Sequence, residues 1–172
     1  MRKPLSLKMR AIALLAQREH SLSELRTKLL RLARAAQALH QAQAGGPGDS
    51  DSSGETGDAP EPAEEVEGLL VWLQAQGYLS EARFVESRVH ARAARYGNLR
   101  IKQELAQHGL SLSPERQAEL KDSELARAQA IWQRKFGQLP DDAAARAKQT
   151  RFLAGRGFSA EVIRRVLRGE DD

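Results

Sequence analysis

The fold is decided by two copies of one phrase, LAQREHSLSELRTKLL (residues 15–30) and LAGRGFSAEVIRRVLR (residues 153–168), which align without a gap. In both copies a serine is followed four residues later by an apolar residue, then by a basic one, and a second apolar residue stands four places after the first. Ile101, Lys102 and Leu105 occupy the same places in the middle of the chain. This spacing sets an apolar stripe beside an outward charge on a helix. It predicts a tandem helical repeat of elongated, curved shape.

Composition points to the same all-α class. Aromatic residues make up 5% of the 172 residues, and Ala, Leu, Arg, Glu and Gln, which are strong helix formers, dominate. A chain of this length has room for one or two modest domains. Cysteine is absent, which excludes disulfides, thiolate metal sites and cysteine nucleophiles.

Start and stop signals predict about nine short helices. The second helix is expected to run from the capping-box pattern of Ser21 and Glu24 to about Ala36, and the fourth from Ser80 to about Arg95. Further helix starts are expected at Ser6, at Ser113 with Pro114, and at Asp122 and Asp141. The third helix is expected from Ala63 to Gln76, before Gly77, and another helix is expected to end at Gly109. Breaks between helices are expected at Gly97 with Asn98, at Gly137 to Pro140, and at Gly157 with Ser159.

Charge is segregated along the chain. Residues 35–67 hold eight Asp or Glu and no Lys or Arg, whereas the rest carries about +12. The stretch Gly45 to Pro62 has no aliphatic residue larger than alanine and cannot bury enough apolar surface to order itself, so we predict a disordered linker at about 38–62. The basic remainder favours a polyanionic partner, although an arginine-rich solvated surface is the alternative interpretation.

The N-terminal segment is basic and then apolar, but Lys8, Arg10 and Gln17 interrupt its apolar part and no cleavage site of small residues follows. No run approaches the roughly 18 apolar residues that cross a bilayer. The sequence therefore predicts a helix at the start of the chain, and a soluble, cytoplasmic protein.

Three segments resemble the RecX family of regulators: LLAQREHSLSELRTKL (residues 14–29), GYLSEARFVESRVHARAARYGNLRIKQELAQHGL (residues 77–110) and RFLAGRGFSAEVIRRVLR (residues 151–168). The middle segment is the most specific, because its length makes chance agreement improbable. The resemblance implies three tandem three-helix repeats at 6–79, 80–121 and 122–169, the first interrupted by the linker. The acidic insert departs from the family pattern, which usually has a short turn there, and its effect on docking stays open.

The resemblance also implies a function. Members of this family bind the RecA recombinase, free and as a filament on single-stranded DNA, and restrain ATP hydrolysis, strand exchange and filament growth. Some bind DNA directly. The chain is thus expected to be a monomeric, non-catalytic regulator of DNA repair and recombination and of the SOS response, without cofactor or metal. A helix-turn-helix-like nucleic-acid-binding protein is the alternative, although no helix combines base-reading residues at its start with a clear dimer surface.

Basic side chains at helical spacing are the candidate binding residues. Arginine forks on one helix face suit an acidic partner surface or phosphates. The alternative is a solvated flank, paired in part with Glu81 and Glu86. The candidates for partner or DNA binding are Arg88, Arg92, Arg95, Lys102, Arg164, Arg165, Arg168, Arg26 and Lys28, with Lys8 and Arg10 as further ones.

The aromatic residues are interpreted as core anchors, since they fall on apolar stripes or directly after turns. They are Trp72, Phe84, Phe136, Phe152 and Phe158; Trp132, close to Arg134 and Lys135, is left open between core and surface. No histidine pair has the spacing of a zinc helix, and no glycine-rich phosphate loop or acid-base pair is present. Nothing in the sequence argues for catalysis.

Overall fold

The computed structural model describes residues 5–44 and 61–169, and these form nine α-helices and no strand. The all-α prediction is confirmed. The chain divides into two compact units, unit 1 (Met1–Phe84) and unit 2 (Val85–Asp172).

Unit 1 is built on three helices and the first turn of a fourth. They are α1 (Leu7–Gln17), α2 (Leu22–Ala44), α3 (Pro62–Ala75) and α4 (Glu81–Ala93), the last of which continues into unit 2. Helix α2 packs against both α1 and α3. The core is aliphatic, as the composition predicts: Ala11, Leu25, Leu29, Ala33, Val66, Leu70, Leu73 and Leu79 are buried.

Helix α2 ends at Ala44, well beyond the expected end near Ala36. The prediction of disorder at 38–62 is therefore wrong for residues 38–44, and also for Pro62, which begins α3; residues 45–60 lie outside the described residues. Residues 35–42 are exposed, so burial does not hold this end of the helix. Its run of alanine and glutamine, residues of high helix propensity, explains why the helix continues without a core to cover.

Unit 2 contains the rest of α4 and five further helices, α5 (Asn98–Ala106), α6 (Pro114–Asp122), α7 (Glu124–Lys135), α8 (Ala143–Gly155) and α9 (Ala160–Arg168). Helix α9 packs against α7 and α8, since its Ile163, Val166 and Leu167 all face the core. Leu125, Ala128, Ile131, Leu153 and Phe158 complete this cluster.

Most helices begin at the expected caps. Ser6, Ser113 and Ser159 each accept a hydrogen bond from a backbone amide of the first turn, as does Asp142 instead of the expected Asp141. The prediction of a cap at Asp122 is wrong, because Asp122 is the last residue of α6, and Ser123 alone separates α6 from α7.

The aromatic residues lie in the core or against it. Phe84 and Phe158 are each 2% exposed. Trp72 packs on the core of unit 1, and Phe152 on that of unit 2, where its ring meets Phe136 edge to face. Trp132, left open by the sequence, also packs on this core, and its indole N–H donates to the Gln149 Oε1 at 2.7 Å.

Two turns of unit 2 meet backbone to backbone. The amide of Gly97 donates to the Arg156 carbonyl oxygen at 2.9 Å, and the amide of Leu99 donates to the Gly157 carbonyl oxygen at 3.1 Å. A Cβ added at Gly97 would lie 2.3 Å from the Gly157 oxygen, so only glycine allows this approach. We call this contact the glycine seam; it joins the turn before α5 to the turn before α9.

Candidate functional site

The predicted row of arginines on α4 is divided in the structure. Arg88 and Arg92 line one polar concavity together with Arg100 of α5. The carboxylate of Glu104 lies in the same concavity, 2.9 Å from the Arg92 Nε and 3.7 Å from the Arg100 Nε. The positive charge of this concavity is therefore partly compensated.

Arg95 does not belong to this face. Helix α4 ends at Ala93, so Arg95 stands in the following turn, and the helical spacing that grouped it with Arg88 and Arg92 does not apply. The guanidinium of Arg127 explains the early end: it donates to the carbonyl oxygens of Ala93 at 3.1 Å and Tyr96 at 2.9 Å. These oxygens are thereby satisfied without another turn of helix.

A second concavity, of about 460 Å³, lies where α4, α7 and α8 end. Four cationic residues line it: Arg95, Arg134, Lys135 and Arg156. We call it the basic cleft. Among the residues that the structure describes, no acidic side chain lines the cleft, and none of the four cations forms an ion pair. The cleft is a site of uncompensated positive charge.

The cleft also has an apolar and aromatic floor, made by Tyr96, Ile131 and Phe152. Arg156 is held against this floor, with its guanidinium carbon 5.7 Å from the Tyr96 ring centre and 5.2 Å from that of Phe152. It also donates to the Arg95 carbonyl oxygen at 3.3 Å. These cation–π contacts hold the guanidinium group against the floor, and its N–H groups suit an anion.

The arginines of α9 are spread over different surroundings. Arg164 is exposed beside a mostly apolar concavity, and Arg168 is exposed at the end of the helix. Arg165 is half-buried in a concavity that it shares with the carboxylates of Asp122, Glu124 and Glu161. The three side chains thus do not line one common site.

The remaining candidates make contacts within the chain. Arg26 forms a two-point ion pair with Glu67 of α3, and this hydrogen bonding raises the pKa of Arg26 above its ordinary value. Lys102 donates to the Gln117 Oε1 at 3.3 Å. The Lys8 ammonium lies 3.5 Å above the Trp72 ring, and the Arg10 Nε donates to the Leu5 carbonyl oxygen.

Lys28 is part of a partly buried polar contact. Its Nζ donates to the Nε2 of His20 at 3.0 Å, and the Nδ1 of that ring lies 2.9 Å from the Arg18 carbonyl oxygen. His20 is 1% exposed and stands where the repeat has Phe158 near the end of the chain. Burial lowers the pKa of His20 below its ordinary value of 6.5, outweighing the hydrogen bond to the Arg18 carbonyl, and the nearby Arg18 and Lys28 cations lower it further.

We expect unit 1 to lose stability as the pH falls through 6.5. The unfolded chain then binds a proton at His20 that the folded chain does not, so the free energy of unfolding falls by at most about 1.4 kcal/mol per pH unit. Thermal unfolding followed at pH values on both sides of 6.5 measures this. The exposed His90 offers a control: His20→Gln should flatten the dependence relative to the wild type, whereas His90→Gln should keep it. An unchanged slope in His20→Gln would contradict the assignment.

Sequence reasoning missed most of the basic cleft. The sequence pattern indicates Arg134 and Lys135 only as neighbours of Trp132, and it does not indicate Arg156 as a candidate. A signal for Arg156 was present, since it occupies the place of Arg18 in the aligned repeat phrases. Its approach to Tyr96, across 60 residues of chain, could not be read from either phrase.

The described residues contain no group of three or more His, Asp or Glu placed to hold a metal ion. In the same part of the chain, no helix combines the length and the apolar character that crossing a membrane requires.

Helices arranged in units of this kind define an all-α helical-repeat protein. Family models described as the second and the third three-helix domain of RecX match residues 80–112 and 122–167. Proteins named "Regulatory protein RecX" are similar over nearly the whole chain. That of Ralstonia nicotianae is 45% identical over 99% of this chain and 91% of its own, that of Leptothrix cholodnii 45% over 99% and 92%, and that of Pseudomonas entomophila 41% over 98% and 94%. The chain belongs to the RecX family, as its sequence predicts.

Proposed function

We propose that this protein binds the RecA recombinase and its filament on single-stranded DNA, and that it inhibits ATP hydrolysis, strand exchange and filament growth. The observation that carries the proposal is family membership: relatives named as regulatory proteins match 99% of the chain at up to 45% identity. The basic cleft adds physical support, because uncompensated cations attract an acidic partner.

In this proposal the protein has no catalytic activity of its own. It acts in the cytoplasm as a monomer, through three helical repeats at 6–79, 80–121 and 122–169. Its effect on the recombinase regulates DNA repair and recombination and the SOS response.

The test is the rate of ATP hydrolysis by RecA on single-stranded DNA while the protein is titrated in. We expect suppression well below one copy per RecA, because a regulator of a filament acts on many protomers at once. The variant Arg88→Gln with Arg95→Gln, which neutralises one residue of each concavity, should need a higher concentration for the same suppression. A hydrolysis rate that stays constant up to equimolar protein would contradict the proposal.

Direct binding to nucleic acid is the second candidate function, and the four unpaired cations of the basic cleft favour it. Its signature is an affinity for single-stranded oligonucleotides that falls steeply with salt and has no sequence preference. That result, together with no effect on RecA, would favour this candidate over the first.

A further inference from the structure

We propose that the basic cleft docks an acidic segment of a protein partner, with carboxylates on its four cations and an apolar side chain on its floor. This inference rests on the proposed function and deepens it, because it names the surface used and the chemistry of the partner.

Charge is the first step of the argument. Arg95, Arg134, Lys135 and Arg156 converge on one cleft, and the described part of the chain places no carboxylate among them. The concavity of Arg88, Arg92 and Arg100 differs, since Glu104 lies within it. The C-terminal end of a helix favours cations, which accounts for the position of Arg134 and Lys135 at the end of α7, but it gives them no ion-pair partner. The cleft is therefore the better anion site of the two.

The floor decides which kind of anion fits. Ile131 and Phe152 contribute apolar surface to the cleft. A phosphodiester backbone has no apolar group that could cover this surface. A nucleobase would need a free aromatic face, but guanidinium carbons crowd the Tyr96 ring, that of Arg100 at 4.5 Å and those of Arg92 and Arg156 at 5.7 Å. A peptide that alternates carboxylates with an aliphatic or aromatic side chain satisfies both the cations and the floor.

Size agrees with a peptide segment. A volume of about 460 Å³ lies in the range of ligand pockets and accommodates a few side chains. Because three helix ends and the glycine seam surround the cleft, its walls are set by the fold and do not need to be assembled on binding.

The test uses the full chain and a fluorescein-labelled peptide of Glu-Glu-Leu repeats, with binding followed by fluorescence anisotropy. The cleft variant is Arg134→Gln with Lys135→Gln, two exposed residues whose change should leave the fold intact. The matched control is Arg146→Gln with Lys121→Gln, also an exposed arginine and lysine but outside the cleft. We expect the cleft variant to bind at least about tenfold more weakly and the control within about twofold of the wild type.

Further probes separate the chemistries. Peptides of Gln-Gln-Leu and of Glu-Glu-Ser repeats should both bind more weakly than Glu-Glu-Leu, because each lacks one of the two features the cleft requires. The proposal is overturned by absence of Glu-Glu-Leu binding, by an equal loss in the control variant, or by equal binding of the Glu-Glu-Ser peptide. It is also overturned if oligothymidylate, and not the peptide, depends on Arg134 and Lys135.

Failure of this inference can be told from failure of the proposed function. Suppression of RecA by the wild type without peptide binding would overturn the docking site and leave the regulator intact. Peptide binding that depends on the cleft, without any effect on RecA, would overturn the regulator and leave the cleft as an acidic-peptide site.

Discussion

Gly157→Ala is expected to lower the free energy of unfolding of unit 2 by at least about 3 kcal/mol. Gly157 has a φ of +84°, and an added Cβ would lie 2.5 Å from the Arg100 Cβ and 2.7 Å from its backbone nitrogen. Backbone atoms cannot give way without breaking the glycine seam, so both the left-handed conformation and the clash add to the cost. Thermal and urea unfolding followed by circular dichroism measure the loss.

Gly109→Ala is the matched control within the same unit. Gly109 has nearly the same φ, +74°, but an added Cβ would meet nothing within 4 Å. Only the conformational cost remains, about 1–2 kcal/mol. If both variants lose the same stability, the close approach at the seam contributes nothing and our explanation of it is wrong.

Arg127→Met is expected to cost unit 2 about 3 kcal/mol. Besides the two carbonyl oxygens at the end of α4, the guanidinium donates to the Asn98 Oδ1 at 2.6 Å and the Leu120 carbonyl oxygen at 3.0 Å. Burial lowers the pKa of Arg127, and the charge of Glu124 opposes this shift. The residue therefore lies in a partly desolvated site, where a carbonyl oxygen without a hydrogen-bond donor is costly. The measurement is again the free energy of unfolding.

Two variants complete this experiment. Arg146→Met, at an exposed position of α8, should change the stability by no more than about 0.5 kcal/mol. Arg127→Lys should recover little, since an ammonium group is too compact to reach oxygens on α4, α5 and α6 together. If Arg127→Lys kept the full stability of the wild type, the positive charge at this position would stabilise unit 2 and the several N–H donors of the guanidinium group would not.

Local signals predicted the helices well because their causes are local. Ser6, Ser113 and Ser159 cap the helices they were expected to cap, since a hydroxyl and an amide three residues apart decide that contact. The end of α4 was misjudged, because Arg127, more than 30 residues away in sequence, caps it. Helix α2 continues past its expected end near Ala36, because the alanine-rich segment before the acidic run has a high helix propensity.

The site was harder to predict than the fold. Helical spacing groups Arg88 and Arg92, which do line one concavity. It also groups Arg95 with them, although α4 ends at Ala93, before Arg95. The basic cleft joins ends of three helices, so its cations come from separate parts of the sequence and no single helical pattern contains them. In the sequence, Gly97 and Gly157 indicate only breaks between helices, because the contact between them depends on tertiary packing.

The glycine seam has a consequence for the order of folding. Arg156 donates to a carbonyl oxygen 61 residues away, beside backbone hydrogen bonds of similar span. Contacts of such separation close large loops, which carries a cost in chain entropy. We therefore expect the helices on either side to nucleate separately and the cleft to acquire its shape when the two turns meet.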